Sequence, residues 1–480
     1  MSNSTKNASG RIESLLDAQS FVEIGSLISA RSTDFNMQTK ETPADGVVTG
    51  YGTINGNLVY VYSQDASVLG GSVGEMHAKK ISQVYSMAMK MGAPVIGIID
   101  CNGLRLQEAT DALNALGGLY LDQVNASGVI PQITMVMGSC GGGMAVIPAI
   151  TDFTFMETKA KMFVNAPDAI DGNIASKCDT ASAKFKNDAG TVDVTGDEAE
   201  LIEKVRTLIS ILPANNEEDM SYEETQDDLN RVCEGVEGFA GDTSAALAAI
   251  SDDNFFFETK EGYAKEMVTG FIRLNGTTVG AVANRSEILD EDGNVTEKFD
   301  SVLTASGCYK AAEFVNFCDA FNIPVLTLTS VKGYKATKAE EVKIAKAAAK
   351  LIYAFANATV PKVNVIIGEA YGTSYLAMNN KSIGADMTFA WADASVGMMD
   401  SVSAAKIIYA DEISAGGGAA LVNEKAAEYA ALQSNVVSAA RRGYIDNIID
   451  AKDTRKYVIG AFEMLYTKIE NRPNKKHGTV

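Results

Sequence analysis

Short apolar runs rich in β-branched residues alternate along the chain with longer segments in which apolar residues recur every three or four positions. In the first half, four such runs predict buried strands at 58–63, 94–100, 133–138 and 154–156. The segment 77–92 predicts a helix whose apolar face includes Ile81, Val84, Tyr85, Ala88 and Met91, with Gly92 at its C-terminal cap. Strands that alternate with helices indicate an α/β fold with a largely parallel sheet.

The pattern of glycines and prolines occurs twice. Residues of the first half return 230 positions later: Pro94 as Pro324, Gly103 as Gly333, Pro131 as Pro361, Gly138 as Gly368 and Gly142 as Gly372. Upstream, the segment 48–56 returns at 268–276, and 17–23 returns at 252–258. One spacing held over so many turn-forming positions indicates an internal repeat. The sequence predicts two copies of one domain, roughly residues 1–245 and 246–480.

Two polar segments punctuate this repeat. The acidic segment 213–228 lies near the predicted joint, and its composition is typical of a solvated loop. The upstream pairs of the repeat are spaced by 220 positions rather than 230, so the second copy carries an insertion. We assign the insertion to the polar segment 289–300, which the sequence predicts to be a loop.

Length and composition narrow the class of protein. A chain of 480 residues exceeds the size at which single cores stop growing, about 250–300 residues, which agrees with two domains. No apolar run approaches the roughly 18 residues needed to span a bilayer, and the polar N-terminus has no signal-peptide core. The six cysteines are scattered without a Cys-x-x-Cys pair. We therefore expect a cytoplasmic protein with neither disulfides nor a zinc site.

Net charge and histidine content argue against further classes of protein and of catalytic site. The formal net charge of −20 argues against a nucleic-acid partner, because such binding neutralises phosphates. The chain has only two histidines, His77 and His477, so we expect neither a histidine-centred triad nor a metal site. The cluster of His77, Lys79 and Lys80 could bind ligand phosphates near a helix start, or it could simply be solvated.

Two glycine-containing turns could carry chemistry. They are MGSCGGGMAVIP at 137–148 and its repeat IGEAYGTSYLAM at 367–378, and each follows a predicted strand and leads into a helical pattern. The N–H groups that open a helix lack intrahelical partners and can stabilise an oxyanion. Tight packing of helix on strand is the alternative explanation, but two related turns favour a pair of anion sites. Cys140 beside the glycines is better explained as a small core residue than as a nucleophile.

Longer segments carry a family resemblance. They are 70–80, 127–138, 148–156, 317–324, 351–362, 441–449 and the ending RPNKKH at 472–477. Together they resemble the carboxyltransferase subunits of biotin-dependent acyl-CoA carboxylases of the propionyl-CoA and methylmalonyl-CoA type, almost from end to end. The resemblance implies two tandem crotonase-like domains. It also implies a homohexamer whose active sites lie between the N-terminal domain of one subunit and the C-terminal domain of its partner.

The resemblance also implies a mechanism and a set of site residues. A carboxyl group moves between carboxybiotin and the α carbon of an acyl-CoA through a thioester enolate, with oxyanion holes supplied by the protein. By resemblance, Gly142 and Gly143 stabilise the enolate in the N-terminal, acyl-CoA-binding domain. The biotin side falls at Gly372, Thr373 and Ser374. Substrate contacts fall at Gly103, Tyr375 and Leu376.

Biotin is expected on a separate carrier protein. The tetrad AMKM around Lys90 is typical of a biotin attachment site, but Lys90 lies in the last turn of a predicted helix. The repeat segment 317–324 has no lysine at this place. The expected partners are acyl-CoA, a biotin carrier protein, and either a biotin carboxylase subunit or a membrane decarboxylase subunit.

The chain departs from the family pattern at its turns. It has DCNGLR at 100–105, SVKGY at 330–334 and GTS at 372–374, and it lacks the family's Glu-Leu-Gly-Gly near 175–190. Thr373 stands where the family has glycine, and a β-branched residue suits a positive φ poorly. The sequence therefore predicts that the C-terminal turn is altered, with a different substrate or reduced activity.

Three alternatives to a carboxylase component remain open from the sequence. The same chemistry in reverse would make the chain the α subunit of a sodium-pumping acyl-CoA decarboxylase. The altered turns would also suit a non-catalytic scaffold paralogue. A hydratase or isomerase of the crotonase type is a more distant alternative, and it would need a carboxylate pair such as Asp152 and Asp386.

Overall fold

A computed structural model describes residues 7–31, 35–218, 222, 224–473 and 478. His477 and part of the acidic segment lie outside the described residues. The chain divides into two compact units, Met1–Ser221 and Tyr222–Val480. The division falls within the predicted acidic loop and earlier than the predicted boundary at residue 245. The reason is that Val236, Leu247 and Ile250 pack into the hydrophobic core of the second unit.

The first unit is built on one sheet. Within its described residues, eight strands form this sheet in the spatial order β1-β2-β3-β4-β5-β6-β8, with β7 beside the end of β5. The strands are β1 (Val22–Glu23), β2 (Val47–Ile54), β3 (Asn57–Gln64), β4 (Val95–Cys101), β5 (Gln132–Gly141), β6 (Phe153–Glu157), β7 (Lys161–Phe163) and β8 (Val194–Gly196). β2 and β3 are antiparallel, whereas β3 to β6 run parallel, as predicted.

Helices complete the first unit. They are α1 (Ala8–Leu15), α2 (Glu75–Met91), α3 (Ala109–Ala126), α4 (Ile147–Ile150), α5 (Ala183–Asp188) and α6 (Glu198–Ile211). α2 confirms the predicted helix and ends at Gly92, whose φ of 61° is the left-handed C-cap conformation. Its predicted face is buried except for Met91, which is 61% exposed because the last turn extends past the core. Lys90 lies in that last turn.

The second unit repeats this plan. Within its described residues, one sheet has the order β18-β16-β15-β14-β11-β10-β9, with β17 beside β15, and β12 pairs with β13 separately. The strands are β9 (Phe256–Thr259), β10 (Met267–Leu274), β11 (Thr277–Asn284), β12 (Glu287–Leu289), β13 (Val295–Lys298), β14 (Val325–Val331), β15 (Lys362–Tyr371), β16 (Met387–Trp391), β17 (Ser395–Gly397) and β18 (Asn447–Ile449). The insertion predicted as a loop is therefore largely a two-stranded ribbon, stabilised by antiparallel pairing.

The helices of the second unit lie around this sheet. They are α7 (Thr243–Ile250), α8 (Ala305–Ala320), α9 (Lys338–Glu341), α10 (Ile344–Asn357), α11 (Gly372–Ala377), α12 (Ser401–Ile408), α13 (Ala410–Glu412), α14 (Gly418–Tyr429), α15 (Val436–Arg441) and α16 (Thr454–Leu465). Among the described residues of the whole chain, no helix is both long enough and apolar enough to cross a membrane.

Buried polar contacts repeat along with the strands. Lys80 on α2 donates to the carbonyl of Ala44 at 2.8 Å, and Lys310 on α8 donates to that of Lys260 at 2.9 Å. Both lysines are 2% exposed. Because an unpaired buried ammonium is costly, these contacts to carbonyls tie each helix to the segment before the β2 or β10 hairpin.

Candidate functional site

The carboxyl ends of β5 and β15 turn through the same backbone conformation. β5 ends at Gly141 and β15 ends at Tyr371, and the next residues are Gly142 and Gly372. Both glycines have a φ of 62°. This left-handed region disfavours any residue with a Cβ, so the glycines are what allow each strand to turn sharply into a helical segment.

Each glycine opens a short helical segment. Gly142 begins a 3₁₀ turn that runs to Val146 and continues into α4, and Gly372 is the first residue of α11. The first N–H groups of such segments have no intrahelical acceptor. Gly143, Thr373 and Ser374 belong to these first turns, so their N–H groups have no acceptor within their own helical segment.

The N-terminal turn is closely packed on one side. A Cβ added at Gly143 would lie 2.8 Å from Cδ2 of Leu116 and 3.1 Å from the hydroxyl oxygen of Tyr120, both on α3. The Tyr120 hydroxyl donates a hydrogen bond to the carbonyl of Gly143 at 2.5 Å. A Cβ added at Gly142 would meet nothing within 4 Å. The turn is therefore fixed by α3 at Gly143 and open at Gly142.

The C-terminal turn resolves the question raised by Thr373. The positive φ falls on Gly372, and Thr373 lies outside the left-handed region as an exposed residue of α11. The prediction that a β-branched residue would strain this turn is therefore wrong. Ser374 is 1% exposed, and its hydroxyl donates to the carbonyl of Tyr371 at 2.8 Å. This hydroxyl is thus part of the turn's own structure.

The predicted acyl-pocket residues follow directly on α11. Tyr375 is 6% exposed, and burial raises the pKa of its phenol to about 12, so the ring stays neutral. Leu376 is 36% exposed. The two side chains therefore differ, one lying within the second unit and the other partly at its surface.

Gly103 lies beside the N-terminal turn. Its φ is 116°, and a Cβ added there would lie 3.5 Å from the carbonyl oxygen of Gly141. The structure thus brings Gly103 near Gly142 and Gly143 in the first unit. The remaining predicted site residues form a second group, continuous from residue 372 to 376, in the second unit.

An ion pair accompanies each turn, but the residues differ. In the second unit, Lys332 follows β14 and pairs with Glu369 of β15 at 2.9 Å. The hydrogen bond to Glu369 raises the pKa of Lys332, so the lysine is cationic at neutral pH. In the first unit, Arg11 pairs with Asp100 at 3.1 Å, and Asp100 accepts the N–H of Ser139 at 3.2 Å. The cation of the first unit is buried, whereas Lys332 is half exposed.

The cluster at the start of α2 is not a phosphate site. His77 is fully buried between the carbonyl of Asp45 and the side chain of Gln64, and burial lowers its pKa to about 3. Lys80 is buried as well, while Lys79 is exposed and pairs with Glu75 at 2.8 Å. His77 and Lys80 are therefore neither phosphate ligands nor solvated residues, because both side chains are buried and hydrogen-bonded inside the first unit.

Cys140 is fully buried, which confirms its assignment to the core. Burial raises the pKa of its thiol, so the residue stays protonated and is a poor nucleophile.

Asp152 and Asp386 anchor strands at the opposite end from the turns. Asp152 accepts the N–H of Gln132, and Asp386 accepts the N–H of Lys362, both at 2.8 Å. These acceptors act at the first residues of β5 and β15, while the turns follow the last residues of the same ten-residue strands. At 3.3 Å per residue the separation is roughly 30 Å. The carboxylates therefore have a structural role in the repeat.

The side chains that hold the turns were not predicted from the sequence. Tyr120 lies four residues after Leu116 on α3, and this spacing places both on one helix face. The spacing of Leu116 and Tyr120 can be read from the sequence, but the sequence does not show which turn this face of α3 contacts. Lys332 follows β14 and Glu369 lies on β15, and nothing in their local sequence pattern pairs them.

Two units of largely parallel sheet, each with a left-handed glycine turn at the end of an interior strand, define a two-domain α/β protein of the crotonase-like class. Comparison with known proteins places it further. The chain belongs to the carboxyl transferase domain family, which matches residues 2–480. The predicted family and fold class are thereby confirmed, and the protein is a carboxyltransferase.

The chain is similar to several characterised relatives over almost its whole length. It is 39% identical to the methylmalonyl-CoA decarboxylase subunit alpha of Veillonella parvula and 40% identical to the propionyl-CoA carboxylase beta chain of Roseobacter denitrificans. Each match covers 98% of this chain and 92% of the relative. Among solved structures, transcarboxylase 12S, a hexamer with methylmalonyl-CoA and methylmalonic acid bound, matches with a TM-score of 0.91. That match is 38% identical and covers 99% of this chain and 92% of the other.

Proposed function

We propose that the protein moves a carboxyl group between the α carbon of an acyl-CoA and biotin carried on a separate protein. The observation that carries this proposal is the pair of left-handed turns at Gly142 and Gly372, which share a φ of 62° and each precede N–H groups without intrahelical acceptors. Carboxyl transfer of this kind needs two anions stabilised, one on each reactant, and the chain offers two such turns.

In the first unit, the N–H groups of Gly142 and Gly143 stabilise the thioester oxygen. Loss of the α proton places negative charge on that oxygen, and N–H groups already fixed in position need no reorganisation when the charge develops. Gly103 lies beside this turn, with a φ of 116° that favours glycine. We propose that its backbone contacts the thioester.

In the second unit, the turn would hold the anionic carbonyl oxygen of the ureido group of biotin. Biotin, when bound, would supply the carboxyl group and the base for the α proton. The N–H groups of Thr373 and Ser374 would hold its oxygen, and the Thr373 side chain is exposed at the surface where a carrier could approach. Lys332 adds a cation at the end of the neighbouring strand. Tyr375 and Leu376 would contact the acyl group through their apolar surfaces.

The reverse direction is the second candidate, because one close relative is named a methylmalonyl-CoA decarboxylase subunit. The same turns stabilise the same anions in either direction. Carboxylation would need a biotin carboxylase subunit as partner, and decarboxylation a membrane subunit. In both cases we propose a homohexamer with a separate biotin carrier, in the reducing cytoplasm, where its six cysteines remain free.

The test is biotin-dependent decarboxylation of malonyl-, methylmalonyl- and glutaconyl-CoA by the purified protein, with free biotin or an added carrier. Thr373→Pro removes one N–H donor at a position where proline is tolerated, in the first turn of a helix. It should lower turnover by about a hundredfold without weakening acyl-CoA binding. Thr373→Ala keeps the N–H and serves as control. Absence of turnover by the intact oligomer with all three substrates would instead support a scaffold.

A further inference from the structure

We propose that Tyr120 is a positioning residue for the N-terminal turn, where its hydroxyl holds Gly143 in the orientation that presents the N–H donor to the substrate oxygen. This inference rests on the proposed function of the turn and adds a residue to it. Tyr120 lies on α3, more than twenty residues before the turn along the chain, and reaches the carbonyl of Gly143 at 2.5 Å.

The need for such a contact comes from the turn itself. Gly141, Gly142 and Gly143 are consecutive, and glycine has the largest backbone freedom of any residue. A donor that must lie within hydrogen-bond range of a developing charge loses its effect if the backbone around it fluctuates. A side chain that fixes Gly143 from a long, packed helix removes part of that freedom.

Helix α3 is placed to do this. Leu116 and Tyr120 lie on one face of α3, and both approach Gly143 so closely that no Cβ fits there. α3 is itself held, because Leu116 and Leu119 are buried in the core of the first unit. Burial raises the pKa of Tyr120, so its hydroxyl keeps the proton that it donates.

The contact is specific to the first unit. The residue 230 positions after Tyr120 is Lys350, whose ammonium lies 5.7 Å from the ring centroid of Tyr309. The repeat therefore does not reproduce the tyrosine, although it reproduces the glycine turn. The difference agrees with the backbone freedom of the two turns. The first-unit turn has three consecutive glycines, whereas the second has one, followed by Thr373 and Ser374.

The experiment compares Tyr120→Phe with wild type in three measurements: kcat, KM for methylmalonyl-CoA, and binding of two coenzyme A analogues. One analogue is a nitroalkyl thioether whose nitronate mimics the enolate, and the other is an uncharged alkyl thioether. We expect kcat and nitronate affinity to fall together by about three- to tenfold, with KM and thioether affinity unchanged. A purely structural role would not separate the two analogues.

Tyr85→Phe is the matched control. Tyr85 lies on α2 and accepts a hydrogen bond from Gln123 of α3 at 3.3 Å, so it contacts the helix that carries Tyr120 at a different place. It should leave nitronate affinity unchanged. Equal losses in the two variants, or unchanged nitronate affinity in Tyr120→Phe, would overturn the inference. If the wild-type protein binds the nitronate no more tightly than the uncharged thioether, the proposed function of the turn fails as well. That result needs no variant, so it can be told apart from failure of the inference about Tyr120.

Discussion

The two glycine turns have the same backbone conformation at their first glycine, but the residues around that glycine differ. Gly142 and Gly372 have the same φ, but the next residue is a glycine pressed against α3 in the first unit and an exposed threonine in the second. The left-handed conformation restricts only one residue of each turn, because only that residue needs a positive φ. The neighbouring position is therefore free to change wherever no helix packs against it.

A second pair of repeated residues also keeps one shared backbone contact while its charged surroundings differ. Asp152 and Asp386 accept the same kind of backbone N–H, but Asp386 also receives the ammonium of Lys468 at 2.8 Å. Burial together with the nearby Asp193 raises the pKa of Asp152 to about 7. One repeated carboxyl is thus paired with a cation, and the pKa of the other is raised by burial.

The largest expected effect comes from placing one residue in both turns. Gly143→Val should lower kcat/KM for acyl-CoA by at least a hundredfold, because its side chain would meet Leu116 and Tyr120 at about 3 Å. Thr373→Val removes the side-chain hydrogen bond with Tyr334 but keeps the shape and the backbone N–H of an exposed residue, and it should stay within about threefold of wild type. Steady-state kinetics measures both, and similar losses in the two variants would contradict the asymmetry.

The pH dependence of stability should separate the two aspartates. In the folded protein Asp152 keeps its proton up to about pH 7, whereas an unfolded aspartate loses it near pH 4. The folded state therefore binds more protons between these values, and its stability falls as pH rises through them, by on the order of 4 kcal/mol. Urea unfolding of wild type and Asp152→Asn, followed by far-UV circular dichroism, checks this. An unchanged slope in the variant would assign the pH dependence elsewhere.

Removing Lys468, which pairs with Asp386, should destabilise the second unit. Lys468→Met takes the ammonium from Asp386, Glu470 and the carbonyl of Val360. We expect a loss of about 1–2 kcal/mol at pH 7, because the carboxylate of Asp386 loses its paired cation. Trp391, the single tryptophan, is buried in the second unit and reports its unfolding by fluorescence. Lys79→Met, at an exposed ion pair of the first unit, serves as control.

The smallest effect compares the two left-handed glycines themselves. Alanine at either position pays the cost of a positive φ, about 1 kcal/mol. Gly372→Ala should lose slightly more, because its Cβ would lie 3.1 Å from the carbonyl oxygen of Met398, while Gly142→Ala meets open space. Denaturant midpoints of the two variants measure this order. A larger loss for Gly142→Ala would show that an unseen contact restricts the first turn.

Much of the fold was predictable because its signals are local. Apolar periodicity predicted α2 and strands β3 to β6, and the spacing of glycines and prolines revealed the repeat and both turns. The division of the chain into compact units falls earlier than the predicted boundary, in a stretch near residues 224–245 that carries no periodic pattern. These residues join the second unit by packing side chains such as Val236 into its core. The predicted site roles of residues 103, 142–143 and 372–376 remain proposals.

The sequence by itself determined the repeat, the α/β class, the family and the positions of the two turns, because glycine, proline and hydrophobic spacing constrain the backbone residue by residue. Tertiary structure decided which side chains reach those turns. The contact of Tyr120 with Gly143, the pair of Lys332 with Glu369 and the different partners of Asp152 and Asp386 all join segments far apart in the chain. Periodicity specifies which face of an element is buried, but only packing specifies what lies against it.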